Sequence, residues 1–85
     1  MPTPEISRDK IKRLILEKMF RNKCIGGVHS PRDTILRTYK NHREASKAMD
    51  ELIREGLVIS STKTHAEHVS LNKHKIAEIR KVIGV

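Results

Sequence analysis

Tryptophan and glutamine are missing from this chain, and one phenylalanine and one tyrosine are its only Phe, Tyr or Trp residues. The core must therefore come from Ile, Leu, Val, Met and Ala. At 85 residues, the chain is one domain near the lower limit of what a single core sustains. A deep substrate cleft has little room to form, which argues against an enzyme and against a small-molecule substrate. One cysteine excludes an internal disulfide framework and suits a reducing compartment. No apolar run is long enough to span a bilayer, and residues 1–6 carry no apolar signal core. The expectation is a cytoplasmic protein without a membrane partner. Gln is absent while 33% of residues are charged, a bias that fits a heat-adapted source.

Several chemistries are also missing their motifs. Gly26-Gly27 is not part of a GxxxxGK[ST] or GxGxxG pattern, so no phosphate-binding loop is expected. Cys24 and the histidines 29, 42, 65, 68 and 74 are scattered, with no Cys-x-x-Cys or His-Glu-x-x-His. His65 and His68 fall in a predicted hairpin, where an odd spacing points them to opposite faces. No metal or other cofactor is expected. Cys24 near His29 is the only nucleophile–base pair close in sequence, and proximity alone implies little.

What the chain does have is positive charge, +8 in all. It is unevenly spread: +4 over 5–23, +3 over 29–47, −2 over 48–56, zero over 57–72 and +3 over 73–85. A basic balance of this size points to nucleic acid or another acidic partner.

The pattern of elements follows from caps and spacing. Residues 1–6 are a frayed lead-in with two prolines. Ser7 caps a first helix, and Ile11, Leu14, Ile15 and Met19 recur at helical spacing, widened by Leu16 and Phe20. Asn22 stops it. A short first strand is expected at 24–25 or 28–29. Ser30-Pro31 reads as the start of a second helix, with Ser30 the cap and Pro31 in the first position. Its inner face is Ile35, Leu36 and Tyr39; Arg32, Arg37 and Lys40 lie outside. Asn41 caps a third helix whose buried face is Ala45, Ala48, Met49, Leu52 and Ile53. Its opposite face is Arg43, Lys47, Asp50 and Arg54, with Ser46 on one border and Glu44 and Glu51 on the other. Gly56 ends it. Residues 57–61 and 68–71 lean to strand around the polar stretch 62–67, a predicted hairpin. Asn72 caps a last helix with Ile76, Ile79 and Ile83 on one face.

The span from Ser7 to Ile83 resembles a winged helix-turn-helix domain with a fourth helix appended. The run Ile25-Gly26-Gly27-Val28-His29-Ser30-Pro31, with Glu55-Gly56-Leu57 and Val69-Ser70-Leu71-Asn72 downstream, is similar to a group of small archaeal winged-helix proteins. The resemblance implies a mainly α, α+β fold: three helices, a β-hairpin wing and a C-terminal helix in a single domain over 1–85. It also implies double-stranded DNA as partner, with the third helix in the major groove, and a role in transcriptional regulation.

On that reading Arg43, Ser46 and Lys47 meet base edges, and Asn41 and His42 make shorter polar contacts. Arg32, Arg37 and Lys40 hold flanking phosphates. Lys63 and His65 are the wing's contributions, opposed by Glu67, while Asp50 and Glu51 oppose deep insertion of the third helix. The competing expectation is a protein-interaction module, a homodimer through the apolar first and last helices. RNA is disfavoured because Phe20 and Tyr39 both read as internal, leaving no stacking platform.

Overall fold

The structure is a computed structural model. It describes residues 7–63 and 66–85, with Lys63 described by its backbone alone. The expected frayed lead-in at 1–6 therefore lies outside the described residues, as does His65. In chain order the elements are α1 (Arg8–Arg21), β1 (Ser30–Pro31), α2 (Arg32–Leu36), α3 (His42–Arg54), β2 (Val58–Lys63), β3 (Ala66–Leu71) and α4 (Ile76–Ile83), with a 3₁₀ turn at Lys73–Lys75 before α4. Among the described residues this is a small α+β domain with four α-helices and a three-stranded antiparallel sheet in the order β1-β3-β2.

The helix ends form as their caps dictate. The Ser7 hydroxyl accepts a hydrogen bond from the Lys10 amide at 3.2 Å, and the Asn41 side chain accepts one from Glu44 at 3.1 Å. After α1 the amide of Cys24 donates to Met19 O and that of Lys23 to Phe20 O. After α3 the same pair of bonds runs from Leu57 to Leu52 and from Gly56 to Ile53. Both are Schellman terminations, which need a left-handed residue. Gly56 supplies it at φ 81°, whereas Lys23 adopts φ 55° with a side chain attached.

Two expectations about the segment before α2 are corrected. Ser30 and Pro31 do not start the helix; they form β1, paired with Val69 and His68 of β3. Pro31 precedes α2 without any side-chain cap bond, and α2 is only five residues long. The first strand is thus at 30–31 rather than 24–25 or 28–29, although Ile25 makes an isolated parallel bridge to Leu71. The reason is the sheet. One edge of β3 needs hydrogen-bond partners, and the chain emerging from the Gly26-Gly27 loop supplies them before it turns into α2. The hairpin strands are also longer than their sequence pattern: β2 and β3 stay in register to the pair Lys63–Ala66.

The core lies between α1, α3 and the inner face of the sheet. Ile15, Leu16 and Met19 of α1 meet Ala45, Ala48, Met49 and Leu52 of α3, with Val58, Val69 and Leu71 of the strands and Ile79 of α4 closing it. Ala45 and Ala48, fully buried, let α3 pack closely. Phe20 and Tyr39 are half-buried against this core. Burial, and secondarily the Glu17 carboxylate, raises the Tyr39 hydroxyl above its ordinary pKa. No helix among the described residues is long and apolar enough to cross a membrane.

Candidate nucleic-acid interface

The third helix positions the candidate residues, and its sequence decides their sorting. With Ala45, Ala48, Met49 and Leu52 facing inward, helical periodicity turns Arg43, Lys47, Asp50 and Arg54 outward, and all four are exposed. Arg43 and Lys47 are one turn apart, so they share a strip near the N-terminal end. His42 is also exposed there. Arg37 and Lys40, both exposed just after α2, precede the same end in the chain; Arg37 is in an i,i+4 pair with Asp33 at 3.2 Å. Asn41 is exposed, but its side-chain oxygen is already engaged as the cap of α3.

The carboxylates of α3 are handled differently. Arg8 at the start of α1 pairs with Glu44 at 2.9 Å and with Glu51. Lys12, one turn later, pairs with Glu55 at 2.7 Å and reaches Glu51 at 3.6 Å. The Arg8 hydrogen bond is the main cause that holds the Glu51 carboxyl below its ordinary pKa, against the opposing pull of desolvation. Arg8 is raised in turn, first by Glu51 and then by Glu44. Burial pulls the Lys12 ammonium downward, but Glu55 and Glu51 outweigh it and the net shift is upward. Of these α3 acids, Glu44 alone approaches an outward cation, at 3.9 Å from Lys47.

Arg32 is where the structure departs most from the sequence. It was expected on the outside of the second helix as a phosphate clamp. Its side chain is instead only 15% exposed, set between α3 and the hairpin. Nη2 donates to the Ser46 hydroxyl at 2.8 Å and to the Ser46 carbonyl at 3.0 Å, and pairs with Asp50 at 2.8 Å. Nη1 pairs with Glu67 at 3.2 Å, and Glu67 also accepts from the Ser60 hydroxyl. The guanidinium fork has enough donors to serve α3 and β3 together. Ser46, expected as a base reader, is half-buried and already accepts from Arg32. Glu67, expected to oppose the wing cations, turns toward Arg32. The signal missed in the sequence is that Arg8, Lys12 and Arg32 answer the acids of α3 and its C-terminal end from 18 to 43 residues away.

A groove of about 460 Å³ lies between α2, α3 and the hairpin, lined by Arg32, Asp33, His42, Ser46, Ala66 and Glu67 among others. Lys63, at the hairpin end of β2, pairs with Ala66, and its side chain lies outside the described residues. Among the described residues no group of three or more His, Cys, Asp or Glu is arranged to hold a metal ion. Cys24 is buried, with its thiol donating to Val69 O at 3.3 Å. That placement gives the Cys24–His29 spacing no open nucleophile.

The chain matches no protein-family model, no curated protein and no solved structure. The case for a function therefore stands on the geometry of α3 and its surroundings.

Proposed function

We propose that this chain is a winged helix-turn-helix domain that binds duplex DNA and acts in transcriptional regulation, with α3 entering the major groove. One observation carries the reading. The acids of α3 are drawn toward cations of α1 and α2, while Arg43 and Lys47 are left on the outward strip at its N-terminal half. The element order supports it: three helices, then the β2–β3 hairpin, then a C-terminal helix, is what the winged-helix resemblance implies. In helix-turn-helix proteins the N-terminal residues of the recognition helix meet base edges. Arg43 and Lys47 donate to guanine O6/N7 or to phosphates; Arg37, Lys40 and His42 hold the flanking backbone. Arg32 and Ser46 position α3 against the hairpin rather than touch DNA.

The test is fluorescence anisotropy with random duplex DNA at about 50 and about 200 mM salt, where counterion release makes affinity fall by orders of magnitude for ~6–10 phosphate contacts. The double variant Arg43→Ala, Lys47→Ala should fold normally and lose most of that binding. Unchanged binding by the folded variant rejects α3 as the groove element.

A second reading has its own observation. A groove of about 550 Å³ is lined by Phe20 and Glu17 of α1, Ile25 of the following loop, and Ile83 and Val85 at the end of α4. Val82 and Val85 are exposed beside it. A second copy of this chain on that face gives a two-fold dimer, which can serve with or without DNA. Sedimentation equilibrium decides it: the parent chain dimerises and Val82→Asp, Val85→Asp does not. A monomeric parent removes this reading.

A further inference from the structure

Two histidines distant in sequence meet at the sheet. His29 immediately precedes β1, and His68 lies in β3 opposite Pro31. Their Nδ1 atoms are 3.0 Å apart, and the rings stand edge to face with centroids 4.9 Å apart and planes at 80°. Both residues are half-buried. The pairs Ser30–Val69 and Pro31–His68 fix the backbone beside both rings, so the meeting is built into the fold.

At that separation the two nitrogens cannot both direct a proton at each other. Either one ring donates and the other accepts, or both lone pairs serve a shared cation. Neutral imidazole is a ligand for copper, nickel, iron and zinc. Metal–nitrogen bonds of about 2.0–2.1 Å spanning this separation would enclose an angle of roughly 95°. That is nearer the right angle of square-planar or octahedral coordination than the tetrahedral angle zinc favours.

We propose that His29 and His68 form a bidentate site for a divalent transition-metal ion that accepts ligands at right angles, Ni²⁺ or Cu²⁺, joining β1 to β3. Cys24 is not a ligand: its thiol is buried and directed at Val69 O. On binding, the ring that donated the Nδ1 proton moves it to Nε2 through solvent. Both Nδ1 lone pairs then face the ion, with no net change in bound protons between the neutral states. The site is separate from the outward strip of α3, so it holds or fails independently of DNA binding.

Calorimetric titration of the whole chain with NiCl₂ at neutral pH tests it. The parent should bind one ion. His29→Ala and His68→Ala should each weaken binding at least tenfold, while His42→Ala and His74→Ala titrate like the parent. Circular dichroism checks the fold, and His29→Asn and His68→Asn replace any alanine variant that unfolds. Paramagnetic broadening by Ni²⁺ should appear first at the ring protons of His29 and His68. No binding by the parent overturns the proposal, as does undiminished binding by either folded variant. Tighter binding of ZnCl₂ than of NiCl₂ overturns the right-angle assignment.

Discussion

Arg32 shows how far one side chain's role depends on its surroundings. A basic residue at the start of a short helix reads as a solvent-facing cation, and nothing local contradicts that. In the fold its guanidinium joins Asp50, Glu67 and Ser46 and is mostly covered. Removing it takes the guanidinium donor from Asp50 and from the half-buried Ser46 hydroxyl, and leaves Glu67 with the Ser60 hydroxyl. Arg32→Ala should therefore destabilise the domain by about 1.5–3 kcal/mol, the usual range for hydrogen bonds to charged groups. Urea denaturation measures it. An unchanged midpoint together with weakened DNA binding would restore the phosphate-clamp role. Asn41 carries a similar lesson. It was expected to contact DNA, but its side chain caps α3. Asn41→Ala should cost about 1 kcal/mol of stability, readable by thermal denaturation without DNA present.

At the scale of elements, α3 was legible and α2 was not. The buried set of Ala45, Ala48, Met49 and Leu52 follows the helical period without interruption, bounded by a good cap and a glycine stop. The segment around Ser30-Pro31 carries an equally strong local helix-start signal. It lost to the edge of β3, a non-local partner that sequence spacing does not display. The hairpin strands outran their pattern for the same reason: ladder pairing continues through polar residues when the opposite strand is present. The end of α1 gives a further prediction. Lys23 occupies a left-handed conformation at φ 55° in a termination that glycine suits better. Lys23→Gly should raise stability by about 0.5–1 kcal/mol, the steric relief exceeding the added chain entropy. A lower denaturation midpoint would show that the Lys23 side chain contributes more than its strain costs.

For the whole molecule, charge is organised across elements. Cations of α1 and α2 restrain the acids of α3, and this network links stability to pH. Glu51 has a folded pKa below its ordinary value of 4.5. Its contribution is present above that value and is lost as pH falls through the depressed folded pKa. Lys12 has a folded pKa above its ordinary value of 10.5. Its contribution is complete below that value and is lost only as pH rises through the raised one. Urea midpoints should hold between these limits and drop on acidification below the ordinary Glu51 value. Glu51→Gln should flatten part of that drop; an unaltered acid profile would show that the Arg8–Glu51 pair contributes nothing measurable.

The sequence by itself determined the local matters: which residues face inward on α1, α3 and α4, where α1 and α3 start and stop, and that the chain is basic; Asn72, read as the cap of the last helix, caps the 3₁₀ turn before it. Periodicity, caps and net charge act over one or two turns, so they are written in neighbouring residues. Tertiary structure alone decided that Ser30-Pro31 is a strand, that Arg32 is a clasp, that Arg8 and Lys12 hold the acids of α3, and that His29 meets His68. Each of these is a contact across 14 to 43 residues. Its energy depends on a distance that exists only after the core has brought the elements together.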